Sequence, residues 1–128
     1  MKVRLRDNSI RLRLTRTEVS TLAAGEAIDN ATPLGVGEDQ TLTFRIRPQD
    51  TDTININHDG LCIDLCVPIR RISDWAETDR VGLEEDVPLT ADRVLHVLIE
   101  KDFTCLAPRP GDEDVDTFAN PAACAPSV

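Results

Sequence analysis

The chain reads as an α+β domain: a mainly antiparallel sheet, or partly closed barrel, of about six or seven strands with two short helices. Three observations predict this. Apolar and polar residues alternate with period two in several short segments of the amino-terminal half, two short stretches carry tight-turn residues between such segments, and two others carry helix-start signals before a period of three to four. At 128 residues the chain is long enough to bury about two thirds of its unfolded surface in one core, without metal or disulfide help.

The first fifteen residues, MKVRLRDNSIRLRLT, form the clearest element. Val3 and Leu5 alternate with Lys2, Arg4 and Arg6, and Ile10, Leu12 and Leu14 alternate with Arg11 and Arg13. Asp7 and Asn8 tolerate the positive φ of a primed turn, which sets Arg6 against Ser9, Leu5 against Ile10 and Val3 against Leu12. One face of this hairpin is apolar. The other sets Arg4 against Arg11 and Lys2 against Arg13, and such like-charged pairs repel unless carboxylates lie close by.

A helix follows, because Thr15 and Glu18 fit a capping box, Val19, Leu22 and Ala23 share a face, and Gly25 suits a left-handed carboxyl cap. Residues 26–40, with Pro33, Gly35 and Gly37, read as a loop holding a short strand near Glu26 to Asn30. Thr41 to Arg47 alternates again, with Leu42, Phe44 and Ile46 on one side and Thr43, Arg45 and Arg47 on the other. A place beside the first hairpin would extend its basic face. Asp59-Gly60 marks a second hairpin between Thr53–Asn57 and Leu61–Val67, setting Ile56 against Ile63 and Ile54 against Leu65.

Pro68 suits the first turn of a second helix, in which Ile69, Ile72 and Trp75 or Ala76 recur at helical spacing. Val81 and Leu83 make a short strand, with Glu84 to Asp86 a loop. Val94 to Ile99 is apolar except at His96, as in a central strand, so His96 is expected to be partly buried and hydrogen-bonded. Residues 1–107 make the domain, and 108–128 an acidic, proline-rich tail that Phe118 could anchor.

The net charge is −9, yet eight of the fourteen Lys and Arg fall within the first 47 residues. That balance argues against a general nucleic-acid binder and leaves room for a local basic site. No apolar run is long enough to span a membrane and the amino end lacks an export signal, which points to the cytoplasm. The four cysteines are then expected to be free thiols. Cys62 and Cys66 share one strand about 13 Å apart, too far to bridge or to hold one zinc ion. Cys105 beside Asp102 is a poor nucleophile, because a carboxylate raises a thiol's pKa.

Four segments, NSIRLRLTRTEV (8–19), DWAETDRVGL (74–83), LIEKDFTCL (98–106) and DEDVDTFANP (112–121), resemble a family of small, functionally uncharacterised bacterial proteins. The resemblance implies a cytosolic bacterial protein and brings no activity or catalytic residue with it.

No nucleophile–base pair, phosphate-cradling glycine motif or zinc spacing is present, so no catalytic residue, metal or cofactor is assigned. The candidate site is a basic strand face made of Lys2, Arg4, Arg11, Arg13, Arg45 and Arg47. Its favoured use is that of a non-enzymatic module docking an acidic protein segment, from a partner or from its own carboxyl-terminal tail. The alternative is a hydrolase for phosphate esters or polyphosphates, in which these arginines clamp a small anion and Glu100 or Asp102 holds magnesium. For that alternative, the charge pattern resembles that of the triphosphate tunnel enzymes, whose barrels are lined by alternating acids and bases.

Overall fold

A computed structural model describes residues 1–103 and 116–119. Among these residues eight strands and two helices build two four-stranded mixed sheets, with no closed barrel. The first hairpin consists of β1 (Lys2–Arg6) and β2 (Ser9–Leu14), in the register its alternation dictates. Asp7 takes a φ of 51° at the first of the two turn positions.

Helix α1 (Arg16–Ala23) starts on the reciprocal cap of Thr15 and Glu18 and ends before Gly25 at φ 89°. Strand β3 (Ile28–Pro33) pairs antiparallel with β4 (Thr41–Gln49) across a 3-10 turn at Glu38–Gln40. The second hairpin, β5 (Asn55–Asp59) and β6 (Cys62–Pro68), is shifted from the expected register. Gly60 and Leu61 are its turn centre, so Ile56 faces Leu65 and Asn57 faces Asp64. The reason is local: Gly60, at φ 56°, takes the first central position, where a primed turn of this kind wants glycine.

Helix α2 (Ile69–Glu77) buries Ile72 and Trp75, and the Trp75 Nε1–H donates to the Val81 carbonyl at 3.0 Å. Strand β7 (Gly82–Pro88) absorbs the expected acidic loop. Leu83 and Val87 are inward positions of one continuous strand. Glu85, which lies between them, is tolerated because its carboxylate accepts from Arg71 and, at 3.0 Å, from the Ile54 N–H. Strand β8 (Val94–Lys101) is central as anticipated, parallel to β2 and antiparallel to β7. His96 is hydrogen-bonded, to Asp86, but is exposed, because it alternates with the inward Leu95 and Val97 and so lies on the outer face of its sheet.

The first sheet runs β1-β2-β8-β7 and the second β3-β4-β6-β5. Both follow from one rule: the chain is a ββαββ unit used twice, and each sheet takes one hairpin from each unit. Exchanging β1 with β5, β2 with β6, β3 with β7 and β4 with β8 turns one strand order into the other. The inward residues obey the same exchange, with Ile10, Leu12, Leu14, Val19 and Leu22 matching the partly buried Ile63 and the buried Leu65, Val67, Ile72 and Trp75. The inner faces of both sheets and both helices pour into a single apolar cluster. Burial of this kind contributes about 25 cal/mol per Å² of apolar surface and is the main force holding the halves together.

A basic cleft on the outer face of the first sheet

Because side chains alternate across a strand, the residues between the core positions of β1 and β2 all emerge on the outer face of the first sheet. The registers align them in rows: Lys2, Arg13 and Glu100; Arg4, Arg11, Leu98 and Glu84; Arg6, Ser9, His96 and Asp86. The face therefore grades from basic at edge strand β1 to acidic at edge strand β7. At its basic end lies a cleft of about 340 Å³ lined by Lys2, Val3, Arg4, Arg11 and Arg13.

Two carboxylates from the end of β8 hold the cations in place. Glu100, only 8% exposed, accepts with one oxygen from Arg11 Nε at 2.5 Å and Arg13 Nε at 3.0 Å. Lys2 Nζ stands 3.0 Å from Asp102, whose own N–H donates to the Leu14 carbonyl at 2.9 Å. These are the residues that the sequence suggested for magnesium; both are engaged by cations. Arg4 and Arg6 have no ion pair among the described residues. The face thus carries five cations, Lys2, Arg4, Arg6, Arg11 and Arg13, against the two carboxylates of Glu100 and Asp102 at its basic end. Arg6 joins this face too, placed there by the same alternation as Arg4, although it is not among the residues that the sequence singles out for the site.

Arg45 and Arg47 are not part of this cleft. Strand β4 belongs to the second sheet, where β3 and β6 occupy both its sides and leave no place beside the first hairpin. There Arg45 stands 3.5 Å from Asp29, and Arg47 2.6 Å from Asp64 and 3.7 Å from the Cys66 sulfur. The hydrogen bond that Arg47 donates to Asp64, followed by the Asp64 charge, holds the Arg47 guanidinium more firmly protonated than usual. Cys62 and Cys66 are free thiols on this second outer face. Cys105 and Cys124 lie outside the described residues.

The tail is described only at residues 116–119, and the acidic residues Asp112 to Asp114 fall outside. Asp116 meets the start of α1, its carbonyl accepting from Arg16 N–H at 2.9 Å and its carboxylate from Thr17 N–H at 3.2 Å. Phe118 packs against the core, 6.0 Å from the Phe103 ring and beneath Arg16 and Lys101. This stretch therefore anchors on the helix terminus. Among the described residues no helix is long and apolar enough to cross a membrane, and no group of three or more side chains is placed to hold a metal ion.

The chain belongs to DUF7009, a family of unknown function, which matches residues 1–122. No curated protein and no solved structure matches it.

Proposed function

We propose that this DUF7009 protein is a non-enzymatic docking module that binds an acidic protein segment in the cleft of Lys2, Arg4, Arg11 and Arg13. One observation carries the reading: cations outnumber carboxylates in a cleft of about 340 Å³, on a chain whose net charge is −9. An anion entering there is drawn by a local field opposite in sign to the rest of the surface, which favours a short acidic stretch over a long polyanion. The free thiols of Cys62 and Cys66 fit a reducing compartment, and we place the docking in the bacterial cytoplasm.

The hydrolase reading is less favoured on geometry. Arg45 and Arg47 stand in the other sheet, so the arginine clamp is not assembled. Glu100 neutralises two arginines and Asp102 one lysine, so neither is a spare magnesium ligand. The sheets do not close into a tunnel.

Calorimetry at low salt separates the two. A glutamate-rich peptide should bind in competition with triphosphate, and magnesium should weaken triphosphate binding by masking its charge. Magnesium that strengthens triphosphate binding, with no heat from the peptide, would contradict the docking role.

A further inference from the structure

We infer that edge strand β1 captures its acidic partner by strand addition, so that the partner is an extended segment alternating carboxylates with small apolar residues. This rests on the docking role proposed above and specifies how the docking occurs.

Strand β1 is the outermost strand of the first sheet. In a two-residue hairpin the pair flanking the turn exchanges both main-chain hydrogen bonds, and bonded and non-bonded pairs alternate from there. Arg6–Ser9, Arg4–Arg11 and Lys2–Arg13 are therefore the bonded pairs. The N–H and C=O groups of Val3 and Leu5 point the other way, off the edge, and none has a partner among the described residues. The opposite edge is treated differently. On β7 the Glu84 carbonyl accepts from Arg71 Nη2 at 3.1 Å, and the same guanidinium bonds Glu85, so a side chain of α2 occupies part of that margin.

The side chains of β1 specify what can fill its edge. Lys2, Arg4 and Arg6 recur on the outer face at every second residue, about 6.8 Å apart, the spacing of same-face positions on a neighbouring strand. Carboxylates at alternate positions of an added strand would each meet a cation. On the inner face Leu5 is 60% exposed beside the partly buried Val3, and small apolar residues of the same strand would cover both. A second copy of β1 is excluded by the same pattern, since it would set Lys and Arg against each other. Charged edges ordinarily keep sheets from joining, and this one rejects its own kind while admitting the opposite charge.

The test uses the full chain, isotope-labelled, and a peptide alternating Glu and Val, at low salt. Amide hydrogen exchange at Val3 and Leu5 should slow roughly tenfold or more when the peptide binds, and no comparable change should occur on β7. Two further peptides, each N-methylated on one set of alternate amides, keep the charge; the one blocked on the set facing β1 should lose about tenfold or more in affinity. Binding with unchanged exchange at Val3 and Leu5, or equal affinity of all three peptides, overturns strand addition and leaves the docking role standing. Absence of any binding removes both. Slow exchange at Val3 and Leu5 before peptide is added shows the edge already filled by the chain itself, which also overturns the inference.

Discussion

Arg11 and Asp64 occupy equivalent positions in the two ββαββ units and carry opposite charges. Arg11, on β2, pairs with Glu100 on the adjacent parallel strand; Asp64, on β6, pairs with Arg47 on its own parallel neighbour, and Glu100 and Arg47 are equivalent in turn. Each seam between the two units is thus bridged by an ion pair at equivalent positions, with the polarity reversed. The second sheet balances its arginines with Asp29 and Asp64, whereas the first leaves Arg4 and Arg6 over. The excess of positive charge is therefore confined to one of two otherwise symmetric faces.

Replacing Glu100 by Gln should leave Arg11 and Arg13 facing each other across a neutral amide. Because both guanidiniums keep access to water, the loss should be about 1–3 kcal/mol, short of the full cost of orphaning a buried charge. Urea unfolding should show it, with a smaller difference at high salt. A variant as stable as the parent at every salt concentration would mean that Glu100 does not hold the cluster.

The doubled core makes a paired prediction. Leu12 and Leu65, both fully buried at matching positions, should each cost about 2–5 kcal/mol on truncation to Ala. Chemical denaturation of both variants checks it; a loss under about 1 kcal/mol at either site would show that this position is not part of the shared core.

Two groups give pH signatures. The hydrogen bond from Thr17 holds the Asp116 carboxyl below its ordinary value near 3.8, so its contribution is present above that value and is lost as pH falls through the lowered one. Asp116→Asn should narrow the stability gap to the parent only below about pH 4. Burial lowers the Lys101 ammonium from its ordinary 10.5, so the unfolded chain binds the extra proton and stability should rise with pH between the lowered value and 10.5. Lys101→Met should abolish that alkaline rise in thermal melts. A rise that persists in this variant would assign it to another group.

With Cys105 and Cys124 replaced by Ser, the native protein should react with a thiol reagent in two phases. Cys62 is partly exposed and should react first, while Cys66, 2% exposed beneath Arg47, should wait for local opening. Equal rates would contradict the burial of Cys66.

The register of the first hairpin, the Thr15–Glu18 cap and the central strand were legible because each depends on neighbours in sequence: alternation, a reciprocal cap, a run that is apolar except at His96. The doubling was not. Only inward positions such as Leu12 and Leu65 preserve it, while outward ones such as Arg11 and Asp64 have diverged in charge. The assignment of β4 to the second sheet was illegible for a different reason, since Thr41 to Arg47 has the same pattern in either sheet and only the pairing partner decides. Glu100 and Asp102 drew attention as paired carboxylates, but their role depends on β8 lying parallel to β2, a contact between the two ends of the chain.

The most direct measurement of the central claim is the affinity of an acidic peptide for the parent and for Arg4→Glu. Arg4 has no ion pair among the described residues and stands opposite Arg11, so reversing its charge should not lower the melting temperature and should raise it slightly by relieving that repulsion. At about 0.01 M salt, where screening extends over about 30 Å, the parent should bind and the variant should lose roughly tenfold or more, with the difference fading toward 1 M. Equal affinity of parent and variant, or no binding by the parent at the lowest salt, would contradict a docking role for the basic cleft.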